Sequence, residues 1–221
     1  MRVLLLGATG MVGQGVMHEC VMAPDVSEVV AIVRTQLDRI PVKVTEVEHR
    51  DFFDWSTVDL SGFDACFFCL GVSSLGMKEP AYTHLTYDLT LALAKALIER
   101  SPQAVFFYVS GAGTNAMGKQ MWARVKGATE NALMAMPFRG VYCFRPGYIQ
   151  PLHGARSKVA LYNAGYVALS WTYPLLRRLL PGMVTSTETV GRAMLKVTRD
   201  GWPRRVLGSR EINAAARSGR P

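Results

Sequence analysis

The chain has 221 residues, of which 49% are hydrophobic and 19% are charged, and its formal net charge is +8 at pH 7. This length and balance are typical of one globular core and exclude a disordered protein. No more than two basic residues follow one another, and no basic stripe is interleaved with aromatic residues, so the excess positive charge does not indicate a nucleic-acid partner.

Short apolar runs alternate with longer helical patterns over the first two thirds of the sequence. The predicted strands are 3–7, 29–34, 42–49, 65–71, 104–110 and 140–145, and the predicted helices are 11–23, 83–100 and 117–136. Strands that alternate with helices of this length predict an α/β fold with a doubly wound parallel sheet, of the Rossmann type. We expect residues 1–150 to form this dinucleotide-binding domain and residues 151–221 to form a small C-terminal helical cap on it.

The four cysteines do not predict a metal site. Cys66 and Cys69 have CxxC spacing, but they lie in an apolar run that reads as a buried strand. Residues three apart on a strand point to opposite faces, so the two thiols cannot easily share an ion. With Cys20 and Cys143, they are typical of reduced, buried cysteines, which favours a cytoplasmic protein.

The first turn of the chain predicts a phosphate-binding site. The run GATGMVG places Gly7, Gly10 and Gly13 directly after the first strand and at the start of a helix. Glycines at this spacing permit a tight turn and a close approach of the backbone to a pyrophosphate. The unpaired N–H groups of the first helical turn, at Met11 and Val12, would then face the phosphates.

The end of the second strand favours NADP over NAD. A free ribose 2′-hydroxyl usually meets an acidic side chain at this position, whereas a 2′-phosphate needs a nearby cation. The sequence offers Arg34, with Arg39 as a second candidate, and no acid before Asp38. After the third strand, Asp51 and Phe52 are placed to border the adenine, although an exposed loop acid is an equal alternative for Asp51.

Five segments together carry a resemblance to a known family: GATGMVG, YDLTLALAKALIE, YVSGAG, WARVKGATE and FRPGYI. With them the chain resembles the atypical short-chain dehydrogenases/reductases, which are related to the NAD-dependent epimerases and dehydratases. It looks closest to the NADP-binding subgroup that includes the Tat-interacting protein. The resemblance covers residues 1–150 in register and continues loosely over 185–201. It implies a Rossmann fold, a nicotinamide cofactor and oxidoreductase activity on a small molecule.

The resemblance also implies three active-site positions. Ser110 stands at the family's serine, which polarises a substrate carbonyl or hydroxyl, and Lys126 stands at the lysine of the YxxxK pair. Trp122 occupies the position of the tyrosine, and an indole N–H donates a hydrogen bond but cannot act as a general acid or base. Two hypotheses therefore stay open: an NADP-dependent oxidoreductase whose proton donor lies elsewhere, or a non-catalytic NADP-binding regulator or scaffold.

Other side chains are candidates for the missing proton donor or for the rest of the site. Tyr148 is the best placed, because it follows the sixth strand at the carboxyl end of the sheet, where ligands bind. The remaining candidates are Tyr82, Tyr87 and His84, for which packing or surface roles are favoured, and Ser73 and Ser74, which read equally well as turn residues. The residues that we expect to contact the cofactor are Gly7, Thr9, Gly10, Met11, Val12, Gly13, Arg34, Asp51, Phe52, Leu70, Gly71, Lys126, Pro146 and Tyr148.

Residues 159–176 form an uncharged, aromatic-rich run with basic residues on both sides. The interpretations, in order of preference, are helices over an apolar substrate pocket, a peripheral membrane contact through 159–180, and a membrane span. Exposed apolar helix faces are compatible with a homodimer. We expect the terminal AAARSGRP to be frayed.

Overall fold

A computed structural model describes residues 1–155, 180 and 182–218. The described strands are β1 (Arg2–Leu6), β2 (Glu28–Val33), β3 (Val44–Glu48), β4 (Ala65–Phe68), β5 (Val105–Val109), β6 (Gly140–Arg145), β7 (Tyr148–Gln150), β8 (Val184–Ser186) and β9 (Val206–Gly208). The described helices are α1 (Met11–Met22), α2 (Glu79–Thr83), α3 (Leu89–Arg100), α4 (Met121–Met134), α5 (Thr187–Asp200) and α6 (Ser209–Arg217), and a π-helical turn (His84–Asp88) joins α2 to α3.

Seven of these strands form one parallel sheet in the order β3-β2-β1-β4-β5-β6-β9. The order runs outward from β1 in both directions, so the crevice above β1 and β4 is the topological switch point at which ligands bind in such sheets. β7 and β8 make a separate parallel pair. The predicted doubly wound Rossmann sheet is confirmed.

The sheet is buried on both faces, which explains why its strands are continuous apolar runs. Along β1, Val3 and Leu5 face a core that includes residues of α1, α5 and α6. Leu4 and Leu6 face a second core with residues of α3 and α4. Because successive side chains of a strand point to opposite faces, β1 packs against the helices on both sides of the sheet.

Most predicted elements agree with the structure to within three residues, and three further differences have an identifiable cause. α4 begins at Met121 rather than 117, because Asn115 forms a turn in which its side chain accepts from the Met117 N–H. The helix predicted from 83 begins at Glu79, with Pro80 in its first turn, where a missing N–H costs nothing. The expectation of a frayed terminus is wrong for residues 214–217, because α6 extends to Arg217 and Ala215 is fully buried.

The C-terminal elements belong to the same layers as the rest of the domain. β9 pairs with β6 as the seventh strand, while α5 and α6 contribute Val190, Met194 and Ile212 to the core beside α1. The stretch 156–179 lies outside the described residues, and it includes the whole uncharged run 159–176 to which the pocket-cover and membrane interpretations refer. Among the described helices, none has the length and apolar character needed to cross a membrane.

Candidate functional site

The glycine-rich turn has the close-packed form that a pyrophosphate site requires. Gly7 adopts φ +82°, a left-handed conformation that side chains disfavour. A Cβ on Gly13 would lie 2.0 Å from the carbonyl oxygen of Gly7, so only glycine lets the first turn of α1 approach β1 this closely. Gly10 precedes α1 and gives its first turn no side-chain cap, which leaves those N–H groups for a ligand.

A smaller cavity of about 300 Å³ lies at the ends of β1 and β2. Arg34 lines it, with its guanidinium carbon 5.9 Å from the ring centroid of Phe52, which is another lining residue. The remaining lining residues are Gly7, Thr9, Ile32, Val33, Thr35 and Leu70. Arg34 is thus the one charged side chain among the described residues of this cavity, which suits the phosphate-bearing end of a dinucleotide.

A larger cavity of about 640 Å³ lies over the ends of β4, β5 and β6. Its lining combines the predicted phosphate-binding turn with the predicted active-site residues Ser110, Trp122 and Lys126. The lining residues are Gly10, Met11, Val12, Cys69, Leu70, Gly71, Val109, Ser110, Gly111, Ala112, Trp122, Lys126, Pro146, Gly147 and Ile149. Leu70 borders both cavities, so they adjoin one another across the switch point, and we refer to the pair together as the groove.

Ser110 is held by a buried charged network. Its hydroxyl lies 2.5 Å from Oε1 of Glu130, a fully buried side chain on α4. Arg145, at the end of β6, donates from Nε to both carboxylate oxygens of Glu130 at 3.0 and 3.1 Å, and from Nη2 to Oε2. The hydrogen bond to Glu130 raises the pKa of Arg145. Ser110 Oγ also lies 3.2 Å from the Phe144 carbonyl oxygen, and because a hydroxyl has one proton, the shorter contact to Glu130 is the one that receives it.

Lys126 lies on the same helix and reaches the same end of β5. Its Nζ donates to the Ser110 carbonyl oxygen at 2.7 Å. Burial lowers the pKa of Lys126 to about 8, against the opposing attraction of the Glu130 carboxylate. This lysine is therefore a partly buried cation with a proton that it can lose near neutral pH.

Trp122 forms an aromatic wall of the larger cavity. A Cβ on Gly113 would lie 3.3 Å from its Cη2, so the indole packs against the loop that follows β5. The ring therefore holds the position next to Ser110 and Lys126 without supplying a titratable group. The residue that replaces the family's tyrosine therefore lines the groove itself.

Several other candidates lie outside the described lining of both cavities. Asp51 is exposed, and its carboxylate accepts from the Phe53 N–H in a local turn. Tyr148 donates its hydroxyl to the Gln150 side chain at 2.8 Å. The exposed His84 ring stacks on Phe53 and contacts Asp88.

The remaining candidates have local roles in the structure. Tyr82 is buried, and burial raises the pKa of its hydroxyl. Tyr87 is half-buried in the π-helical turn. Ser73 accepts from the Leu75 N–H, as a turn residue does.

Sequence reasoning missed Glu130 and Arg145, although both lie in segments that carried the family resemblance. Glu130 follows Lys126 by four residues and therefore shares its helix face. Arg145 ends an otherwise apolar strand directly before Pro146. The sequence did signal this ion pair, because it places an acid on the core-facing side of a helix and a cation at the end of a buried strand. A buried charge requires a partner of opposite sign.

A group of potential metal ligands occurs elsewhere in the described residues. Side-chain atoms of His18, Glu19 and His153 lie within 4.8 Å of one another. The two imidazole rings stack in parallel at 4.1 Å, so their lone pairs do not converge on one point, and Arg192 donates to Glu19 at 2.9 Å. This arrangement is that of a packed ion-pair cluster between α1, α5 and the segment after β7.

The lowered pKa of Lys126 predicts how the stability of the protein changes with pH. Between pH 8 and pH 10.5 the unfolded chain binds a proton at this lysine that the folded chain has released, so the unfolding free energy should rise with pH. We expect wild type to gain stability over Lys126→Met as the pH is raised from 7 to 10 in urea unfolding. The exposed Lys95, changed to Met, is the control and should leave the wild-type pH dependence unchanged.

Comparison with known proteins gives curated relatives but no matching family model. Protein FMP52 of Saccharomyces cerevisiae is 31% identical over 163 residues, which are 71% of this chain and 68% of that protein. Protein FMP52 of Eremothecium gossypii is 29% identical over 151 residues, 67% of this chain and 66% of that protein. The match thus spans just under two thirds of the Eremothecium protein.

Solved structures share the fold at low sequence identity. ADP-L-glycero-D-manno-heptose-6-epimerase of Helicobacter pylori has a TM-score of 0.66 at 16% identity, over 99% of this chain and 82% of that one. The PhqB reductase domain of Penicillium fellutanum has a TM-score of 0.65 at 17% identity, over 93% of this chain and 65% of that one. WbmH of Bordetella bronchiseptica, solved in complex with NAD+, has a TM-score of 0.61 at 14% identity, over 90% of this chain and 72% of that one. The chain therefore has the fold of NAD(P)-binding Rossmann dehydrogenases and epimerases.

These comparisons correct two expectations. The Tat-interacting subgroup is not confirmed, because the curated relatives are FMP52 proteins. The cytoplasmic location is wrong on this evidence, because all four of these relatives are named as mitochondrial. At 31% identity over more than two thirds of the Saccharomyces protein, the chain belongs to the FMP52 family.

Proposed function

We propose that the chain is an NADPH-dependent oxidoreductase that interconverts a carbonyl and an alcohol on an apolar substrate. The observation that carries this proposal is the pair of adjoining cavities at the switch point, which share Leu70. The phosphate-binding turn lies in its middle, Arg34 lies at one end, and Ser110 and Lys126 lie at the other. This order matches the order of adenosine, pyrophosphate and nicotinamide in a dinucleotide.

The residues present fit such a cofactor. Because Gly13 has no Cβ, the glycine-rich turn can pack closely against the start of α1. The uncapped N–H groups of α1 are the donors for the pyrophosphate. Leu70 and Gly71 would border the central part of the cofactor, and Lys126 would lie beside the nicotinamide ribose. When bound, the reduced nicotinamide supplies a hydride to the substrate.

The adenosine end favours NADPH over NADH. The described lining of the smaller cavity has no acidic side chain to accept from a ribose 2′-hydroxyl. Arg34 is exposed, and no described carboxylate pairs with it, so its guanidinium is free to bind a 2′-phosphate with two parallel hydrogen bonds. Phe52 supports this side chain from one face.

The substrate end is largely apolar. Met11, Val12, Val109, Trp122 and Ile149 supply hydrocarbon and aromatic surface to the larger cavity. The polar side chains of its described lining are Ser110 and Lys126, which lie close together at one end, together with the thiol of Cys69. This distribution suits an apolar molecule with one oxygen function directed at these two groups.

The alternative of a non-catalytic regulator or scaffold is not favoured. The solved structures that share the fold include proteins named as reductases, dehydrogenases and epimerases. In this chain, the loss of the tyrosine has also left Ser110 and Lys126 in place within one cavity. A protein that only binds nucleotide does not need both.

Replacing Arg34 with alanine should weaken NADPH binding by about 10- to 100-fold. The expected loss is the roughly 1.5–3 kcal/mol of a hydrogen bond to a charged group, since the 2′-phosphate loses its cation. NADH, which lacks this phosphate, should change by less than about threefold on the same reasoning. Isothermal titration of both nucleotides measures the two effects.

Arg39→Ala is the matched control, because Arg39 is also exposed and follows the same strand but does not line the cavity. We expect it to leave both affinities unchanged. Equal weakening of NADPH and NADH by Arg34→Ala would contradict the NADP assignment while leaving nucleotide binding in place. If neither nucleotide binds to wild type, the proposed function fails.

A further inference from the structure

The larger cavity contains few groups that can exchange a proton. Among the residues of its described lining, only Cys69 and Lys126 have ionisable side chains. Burial raises the pKa of the Cys69 thiol to about 12, so it stays protonated at neutral pH. The hydroxyl proton of Ser110 is directed at Glu130 and away from the groove.

Lys126 is placed to act at the same point as Ser110. Its Nζ is held 2.7 Å from the Ser110 carbonyl oxygen, and its side chain lines the cavity beside Trp122. An ammonium group has three N–H donors, and the described contacts use one of them. The others remain for a substrate oxygen at this end of the groove.

The charges around Lys126 also permit the proton to leave. Glu130 lies four residues further along α4, and Arg145 approaches from β6 and pairs with that carboxylate. Burial keeps the pKa values of the neighbouring Tyr108 and Cys143 above their usual range, so both stay neutral. Burial lowers the pKa of Lys126 itself to about 8, close to the working range of an acid–base catalyst.

We propose that Lys126 is the catalytic acid and base of this site and exchanges its Nζ proton with the substrate oxygen, in place of the tyrosine that Trp122 replaces. The inference rests on the proposed oxidoreductase function. When a carbonyl is reduced, a hydride adds to its carbon and the C=O electron pair moves to oxygen. Lys126 gives this oxygen a proton and becomes a neutral amine, which water then reprotonates. Ser110 donates its own proton to Glu130, so its oxygen accepts a hydrogen bond from the new hydroxyl group.

The first test measures the protonation of Lys126 in the nucleotide-free protein. Trace labelling with acetic anhydride between pH 6 and 11, followed by peptide mass spectrometry, reports the reactive fraction of each amine. We expect a midpoint near 8 for Lys126, and the exposed Lys95 and Lys119 are followed in the same samples as internal comparisons. A Lys126 midpoint above 10 would overturn the proposal and would leave nucleotide binding unaffected.

The second test separates proton transfer from nucleotide binding. With saturating NADPH and decanal as the carbonyl probe, Lys126→Met should lower kcat by about 100-fold or more, the usual contribution of acid–base catalysis. Its NADPH dissociation constant should change by much less. Lys95→Met is the matched control, because Lys95 is exposed and lies outside both cavities, and it should keep the kcat of wild type.

Each remaining outcome has one meaning. An unchanged kcat in Lys126→Met, with all of its loss in NADPH affinity, would overturn the proposal and leave Lys126 as a ribose-binding residue. An equal fall of kcat in Lys95→Met and Lys126→Met would also overturn it. If wild type binds NADPH but reduces no member of a panel of apolar aldehydes and ketones, the proposed oxidoreductase function fails, whereas the labelling midpoint still reports on Lys126.

Discussion

Arg145→Met should destabilise the protein by about 3–5 kcal/mol, because removing one partner of a buried ion pair leaves the other charge uncompensated. Glu130 is fully buried, and Arg145 is its only described cationic partner within hydrogen-bonding distance. For a chain of this size the loss corresponds to a fall in melting temperature of roughly 6–20 °C. Urea unfolding at pH 7 gives the free energy directly.

Two further variants make this result specific. Arg124→Met removes another arginine–glutamate pair, with Glu79, but both of these side chains are more than a third exposed, so we expect a loss of about 1 kcal/mol or less. The double variant Arg145→Met/Glu130→Met removes both buried charges and should recover most of the stability. The account of the network is contradicted if Arg145→Met is no more harmful than Arg124→Met.

Gly13→Ala should damage both the fold and the nucleotide site. The new methyl carbon would lie 2.0 Å from the Gly7 oxygen and 2.6 Å from its carbonyl carbon, so α1 and the turn must move apart. We expect a loss of stability of roughly 2–3 kcal/mol, within the range for overpacking. NADPH binding, measured on the protein that remains folded, should weaken by more than about tenfold, because the phosphate donors move with the helix.

Gly71→Ala is the control for this experiment. Gly71 also lines the groove, but a Cβ there meets no atom within 4 Å, so the stability should be unchanged within about 0.5 kcal/mol. If the two alanine variants have equal stability and equal NADPH affinity, the close approach at Gly13 is not what forms the site.

The sequence was most informative where local patterns decide the structure. Apolar runs such as VLLLG and helical periodicity such as that of 83–100 predicted the helical layers and the first six strands along the chain, but not the order of the strands within the sheet. The π-helical turn at His84–Asp88 and the β7–β8 pair could not be predicted in this way. β7 and β8 each have three residues and lie far apart in the chain, so their pairing depends on tertiary packing at Gly147, where a Cβ would lie 2.4 Å from the Met183 oxygen.

The site was predictable as far as each residue follows a strand end. Gly10, Arg34, Phe52 and Ser110 line the groove because the carboxyl ends of parallel strands share one edge of the sheet. The direction of the Ser110 proton was not predictable, since it depends on a carboxylate twenty positions away. Asp51 was assigned by position alone, and a local turn uses its side chain instead.

Trp122 now has a more definite meaning than the sequence could give it. The indole lies in the wall of a groove that also contains Ser110 and a lysine with a lowered pKa. In the proposed mechanism, Lys126 is the proton donor that takes the place of the tyrosine. The two hypotheses left open by the sequence differ in whether any group at the site donates a proton to the substrate.

The central claim is that the groove binds NADP with its adenosine end at Arg34 and its nicotinamide end at Lys126. A crystal structure of the protein grown with saturating NADP+ tests it most directly. We predict density for the 2′-phosphate at the Arg34 guanidinium, the pyrophosphate against the N–H groups that follow Gly10, and the nicotinamide ribose within hydrogen-bonding distance of Lys126 Nζ. A groove without nucleotide density under these conditions, or a nucleotide bound elsewhere on the molecule, would contradict the account.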